Sequence, residues 1–351
     1  MASINLQGDT SGAITISAPS VAGSNTLTLP ATTQTLATQN ALGVRNLIIN
    51  GDMRIAQRGT SVAGITSGSY NVMDRMKDVV SSAGTWTTSQ STDVPSGQGF
   101  GYSYKWECTT STASPTALFL QHRFEGQHLQ HLKKGTSSAE SLTLSFWVKT
   151  NKTGTYVAEL RDNDNTRLIG KSYTVDTANT WEKKTITFEG DTTGAFDNDN
   201  NASLDLSLWL AADSATFGTG TQQTTWGATL NANRAVAQTV NLADSTSNNW
   251  YITGLQLEVG DTATPFEHRP YDMELARCQR YYEIGFGRWR GYDNGFTFVG
   301  TNTFQVTKRA TPTVVAGGGG AGDITVTKYS SFGSGGNFDT GGFQFQAEAE
   351  L

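Results

Sequence analysis

The stretch SLTLSFWVKT, residues 141–150, sets Leu142, Leu144, Phe146 and Val148 at every second position, and SLDLSLWLAAD, residues 203–213, repeats the pattern with Leu204, Leu206, Leu208 and Leu210. Successive side chains of an extended strand point to opposite faces, so a period of two buries one face and leaves the other polar. NWYITGLQLEV, residues 249–259, alternates in the same way. Tyr251, Thr253, Leu255, Leu257 and Val259 are expected on one face, with Trp250, Ile252, Gly254, Gln256 and Glu258 on the other. Tyr102, Tyr104, Trp106 and Cys108 form a fourth such row. Further strands are expected near Phe119, Tyr156, Tyr173, Ile186 and Val236, separated by turns such as Asp162-Asn163-Asp164-Asn165. So many short strands, each with one polar face, predict an all-β chain whose residues 45–269 form a two-sheet sandwich or jelly roll.

Composition agrees. Glycine (38) far outnumbers proline (7), and charged residues make up 16% of the 351, against roughly a quarter in ordinary globular proteins. The net charge of −6 and the absence of any basic run longer than Lys133-Lys134 or Lys183-Lys184 leave no footprint for nucleic acid. Met1 to Asn5 opens without a basic or apolar leader, and no apolar run approaches the roughly 18 residues of a membrane span. Synthesis in a cytoplasm and no membrane insertion are expected. In that reducing compartment Cys108 and Cys278 are expected as buried free thiols.

Residues 1–44 contain no aromatic residue and only the sparse apolar pairs Ile14-Thr-Ile16 and Leu27-Thr-Leu29, which read as short strands between Pro19, Gly23 and Pro30. Such strands make no core alone, but three copies winding together would bury them at a shared axis. A helix is expected over Tyr271 to Glu283, with Asp272 in its first turn and Leu275, Cys278 and Tyr282 at helical spacing. It would lie in a linker, 270–284, before a small glycine-rich β domain, 285–351.

The wording of several segments resembles a family of phage virion proteins common in phages of marine bacteria and cyanobacteria, usually called tail-fibre or virion structural proteins. The segments are RNLIINGDMRIAQRGT (45–60), NKTGTY (151–156), TGLQLEVG (253–260), PFEHR (265–269) and RCQRYYE (277–283). SGAITISAPSVAGSNTLTLPATTQTLAT, residues 11–38, is similar to the attachment segment that often precedes that block. The central block also resembles, more distantly, the jelly rolls of carbohydrate-binding modules. Those modules often hold a structural Ca²⁺, but here only Asp52 among the corresponding residues is acidic, so that site is not carried over. The resemblance implies a virion protein on the phage tail or capsid surface. It would be a homotrimer joined to another virion protein through residues 1–44, with a host surface polysaccharide as ligand. A purely structural capsid-decoration or fibre-shaft role is the alternative, and a polysaccharide depolymerase a third.

No catalytic constellation, metal site or cofactor is expected. His122, His128 and His131 cluster without a zinc-ligand spacing and read as solvent-facing or hydrogen-bonded. Asp197, Asp199 and Asn201 are spaced like the start of a calcium loop, but Ala202 and Leu208 occupy the positions that would need Gly and Glu. An Asx-rich turn explains them, as it does Asp162 and Asp164. No pair of acids is singled out for glycoside hydrolysis. Trp147, Trp209 and Trp250 are expected on outward faces, where they would serve a subunit interface or a sugar. The candidate ligand-binding residues are Arg288, Trp289, Arg290 and Tyr292, on a glycine-bounded loop whose guanidinium groups suit anionic substituents and whose rings suit stacking.

Overall fold

The computed structural model describes residues 3–7, 11–17, 44–213, 215–288, 298–317, 324–326, 330–335 and 342–351. The chain divides into two compact units, Met1–Gln39 and Asn40–Leu351. In the first, β1 (Ser3–Gln7) and β2 (Ala13–Ser17) pair antiparallel, with Ile4 opposite Ile16 and Leu6 opposite Ile14. The expected strand at Leu27-Thr-Leu29 lies outside the described residues.

The second unit is dominated by two six-stranded antiparallel sheets. Sheet I runs in the order β3 (Ser61–Ile65), β5 (Thr85–Ser91), β6 (Ser103–Thr110), β14 (Asn249–Val259), β8 (Leu142–Thr150) and β11 (Glu182–Phe188). Sheet II runs β4 (Lys77–Ser81), β7 (Ala117–Glu125), β12 (Ala202–Ala212), β9 (Gly154–Asp162), β10 (Arg167–Val175) and the two-residue β13 (Gly227–Ala228). The chain passes repeatedly from one sheet to the other, so the architecture is a jelly-roll β-sandwich, as the alternation predicted. The apolar rows read from the sequence meet between the sheets. Leu142, Leu144, Phe146 and Val148 face Leu204, Leu206, Leu208 and Leu210, together with Tyr104, Trp106, Cys108, Tyr156 and Tyr173. Cys108 and Cys278 are both free and buried.

Strand β14 departs from strict alternation. Its register against β8 slips between Thr253 and Gln256, a β-bulge centred on Gly254 at φ +63°. The extra residue reverses the facing of everything beyond it. Trp250 and Ile252 therefore join Leu255 and Leu257 in the core, while Tyr251 and Thr253 face outward. The expectation of an outward Trp250 is corrected for this reason: its exposure is 0%. Val236, expected in a strand, lies in a turn of the long β12–β14 connection.

The helix, α1 (Tyr271–Gln279), ends four residues earlier than expected, because Tyr282 already pairs with Glu348 at the start of β15 (Tyr282–Arg288). Pro270 is its N-cap and no side chain caps it, Asp272 being exposed. Strand β15 joins β20 (Gly342–Glu348) and β17 (Thr313–Gly317) in one three-stranded sheet. A second contains β16 (Phe298–Thr303), β19 (Ser330–Gly335) and β18 (Ile324–Val326). The first is bolted to the sandwich by charge. Glu125 accepts from Arg280 at 2.8 and 2.7 Å and from the Tyr281 hydroxyl, and Arg309 donates to the Asn200 carbonyl, just before β12, at 2.9 Å.

Candidate functional site

The outward face of sheet II differs from an ordinary solvated sheet face. Register places Lys77, Gln121, Ser207, Glu159 and Gly170 in one row across β4, β7, β12, β9 and β10. Beside it run Arg123, Asp205, Arg161 and Leu168, and on the other side Val79, Phe119, Trp209 and Val157. The last row is roofed by the β12–β14 connection. Phe119 and Phe217 pack on Trp209 at 4.5 and 5.2 Å between centroids, and the Arg234 guanidinium sits 5.0 Å from the Trp209 ring. Trp209 is thus outward as expected, yet wholly buried.

The polar rows are organised around two buried carboxylates. Asp205, 0% exposed, accepts from Arg161 Nη2 at 2.7 Å and Gln121 Nε2 at 3.2 Å, with Arg123 Nε 3.5 Å from its other oxygen. Glu159, 1% exposed, accepts from Arg234 Nε at 2.8 Å. Yet Glu159 Oε2, Arg161 Nε, Asp205 Oδ1, Ser207 Oγ and Trp209 Nε1 are buried with no hydrogen-bond partner. All five belong to outward positions of the adjacent strands β9 and β12. Each such atom costs about 1–3 kcal/mol of folding free energy, and buried polar groups are normally paired. These atoms are enclosed within the protein, and the polar side chains of these rows that reach solvent are Lys77, Arg123 and Arg161.

The edge of this face is cationic. Lys77, half-buried, pairs with no carboxylate among the described residues, and burial followed by the neighbouring Arg123 charge lowers its ammonium pKa. Its ammonium lies 5.8 Å from the Tyr70 ring centroid. Arg123 and Arg161 keep about a quarter of their side-chain surface exposed, 24% and 28%.

The outward face of sheet I is different in kind. Lys149 lies 4.5 Å from the Tyr251 ring and 5.6 Å from Trp181, and it pairs with Asp93, which also accepts from Trp181 Nε1 at 3.0 Å. Trp147 is half-buried nearby, opposite Thr253. Here the polar groups already satisfy one another.

Of the residues expected to bind ligand, Arg288 ends β15 opposite Gly342, and Trp289, Arg290 and Tyr292 lie outside the described residues. His128 and His131 are exposed. His122 is corrected in that it does not face solvent: it is 2% exposed, inside the sandwich beside Phe124, where burial and the Arg75 charge hold its pKa well below the usual range. Among the described residues no group of His, Cys, Asp and Glu is arranged to hold a metal. Asp199 forms the expected Asx turn, accepting from the Asn201 backbone at 2.9 Å, and Asp162 accepts from the Asn165 backbone at 3.0 Å while pairing with Lys134. The polar rows of sheet II were not singled out from sequence. Asp205, Ser207 and Trp209 could be placed outward, but the matching Glu159 and Arg161 become visible only once β9 is aligned beside β12.

Neither a protein-family model nor a curated protein matches the sequence. Among solved structures, the chain is similar to the enzymatically active domain of tailspike protein 4 of bacteriophage CBA120, with 12% identity, 61% of this chain and 21% of that chain covered, and a TM-score of 0.33. The chain thus spans about a fifth of that tailspike's length. It is also similar to the tripod from the baseplate of bacteriophage Tuc2009, with 11% identity, 73% and 82% covered, and a TM-score of 0.28. A third is a family 11 carbohydrate-binding module from Clostridium thermocellum in complex with a mixed-linked tetrasaccharide, with 10% identity, 60% and 98% covered, and a TM-score of 0.28.

Proposed function

We propose that the chain is a virion structural protein of a bacteriophage, of the tail-fibre or spike kind known from phages of marine bacteria and cyanobacteria, and that it binds a host surface glycan across the outward face of sheet II. The phage assignment rests on the wording of the sequence. The glycan assignment is carried by the polar rows across β4, β7, β12 and β9, from which Lys77, Arg123 and Arg161 reach solvent. In this reading residues 1–44 attach the protein to the particle, the sandwich of residues 45–269 is the body, and three copies assemble. Weak contacts repeated three times gain avidity through effective concentration. The loop around Arg288, Trp289, Arg290 and Tyr292 is a second proposed contact. The role is binding and not turnover: each carboxylate of the face is held by guanidinium groups, the arrangement of an anchor.

The test is retention of the purified protein on polysaccharide from phage-susceptible cells. Gln121→Ala and Arg161→Ala are expected to weaken retention about tenfold each, while Trp181→Ala on sheet I leaves it unchanged. Equal retention of all three variants would place any binding elsewhere. Light scattering reads the oligomeric state, and a stable monomer would remove the avidity argument.

A further inference from the structure

We infer that the ligand of the sheet II face is an acidic polysaccharide, and that Lys77 and Arg123 form the seat for its anionic substituent. The inference rests on the glycan reading above and adds the charge of the sugar. The polar part of this face, with the Arg234 side chain that closes it, carries four cations, Lys77, Arg123, Arg161 and Arg234, against two carboxylates, Glu159 and Asp205. That surplus stands on a chain of net charge −6. The carboxylates are not spread evenly among the cations. Glu159 is taken by Arg234, and Asp205 by Arg161, with only a 3.5 Å approach to Arg123.

What is left over is localised. Lys77 stands directly opposite Gln121 in the β4–β7 ladder, and Arg123 is two residues further along β7 on the same face. Diagonal neighbours of this kind lie roughly 7–8 Å apart, a span that one carboxylate or sulfate group bridges. Arg123 Nε is engaged by Gln121 at 3.1 Å, which fixes the plane of the guanidinium. Two like charges, one of them half-buried and without a carboxylate partner, repel each other in a partly desolvated place. An anion between them relieves both the repulsion and the desolvation.

The experiment compares one polymer backbone in two charge states. Affinity electrophoresis is run in gels containing polygalacturonate, its carboxyl-reduced neutral form, or dextran sulfate, with the full-length protein. The expected result is retardation by at least one anionic gel, roughly tenfold weaker or absent in the neutral one, and falling as salt is raised. Polygalacturonate against dextran sulfate tells carboxylate from sulfate. Lys77→Gln, with unchanged thermal unfolding, is expected to lose about tenfold of that retardation, and Lys77→Arg to retain it. Arg123→Gln should act in the same direction. Equal retardation by the neutral and anionic gels, or a Lys77→Gln protein that runs like the parent, overturns the acidic-ligand inference and leaves the glycan reading standing. No retardation in any of the gels, together with no retention on host polysaccharide, overturns both.

Discussion

The carboxylate of Asp78 lies inside the sandwich and receives the Tyr104 hydroxyl at 2.7 and 2.8 Å to its two oxygens, with Asn71 donating at 2.8 Å. Among the described residues no cation pairs with it. Burial therefore dominates and pushes its pKa up to about 7, the hydrogen bonds from Tyr104, Asn71 and Thr88 opposing only in part. A folded-state pKa above the unfolded value near 4 means that the folded protein binds the extra proton. The associated stability is fully present below about pH 4 and is lost as pH rises through about 7. The expected outcome is that Asp78→Asn gains on the parent by a few kcal/mol between pH 5 and pH 8. Denaturant unfolding at several pH values measures the difference, and a pH-independent gap between the two proteins would contradict it. Carboxylates such as Asp191 and Glu125, held low by hydrogen bonds and ion pairs with Arg167 and Arg280, give an opposite trend at acid pH in both proteins, so only the difference is diagnostic.

Glu350 pairs with Arg75, which is 0% exposed and stacks its guanidinium 3.5 Å over the Tyr281 ring. Removing the carboxylate leaves a buried charge without compensation. Glu350→Ala is expected to destabilise by about 3–5 kcal/mol. The exposed pair Lys133–Glu140, at 2.6 Å, serves as the comparison, and Glu140→Ala should cost under about 1 kcal/mol. Equal losses in thermal unfolding would mean that burial does not decide the value of these pairs.

The alternating rows of β8 and β12 were legible because the strands are regular, and the jelly-roll class followed from them. β14 was misread because a bulge carries no hydrophobic signal of its own. Its trace in the sequence is one glycine in the middle of a strand, Gly254, and a strict period of two puts Trp250 on the wrong side of it. The polar face of sheet II was half legible. SLDLSLW gives Asp205, Ser207 and Trp209 a common face, but an outward polar residue ordinarily means solvent. Trp209 is buried because the β12–β14 connection roofs it, and Asp205 because Arg161, Gln121 and Arg123 close on it, and periodicity announces neither. The early end of α1 is a competition between local propensity and pairing of Tyr282 with Glu348, a contact 66 residues away in sequence.

Gly254 admits a direct test of the bulge. Its φ of +63° is one that side chains resist, and an added Cβ would stand 2.6 Å from the Phe100 ring. Phe100 is itself wedged against Phe266 and His268 at 5.1 and 5.4 Å, so it has little room to retreat. Gly254→Ala is expected to lower stability by about 2 kcal/mol or more. A double variant with Phe100→Ala removes the clash but not the backbone strain, and should recover part of the loss relative to Phe100→Ala alone. Full tolerance of alanine at this position would argue against the bulge geometry.

Arg234 ties the roof of the candidate site to its floor. It pairs with the buried Glu159 at 2.7 Å and lies over the rings of Trp209, Phe119 and Phe217 at 5.0, 5.8 and 5.7 Å. Arg234→Ala removes both the ion pair and the packing of the side chain on three rings. It is expected to destabilise by about 3–5 kcal/mol and to expose residues 215–240 to proteolysis. Glu159→Gln leaves the guanidinium its ring contacts and a neutral acceptor, and should cost less. If the ion pair is the main contribution, Arg234→Met combined with Glu159→Leu restores much of the stability that either single change loses, since the desolvated charges then disappear together. If ring packing dominates, the pair of changes adds without recovery, and Arg234→Met alone is already well tolerated. Denaturant unfolding of the four proteins in this cycle separates the two cases.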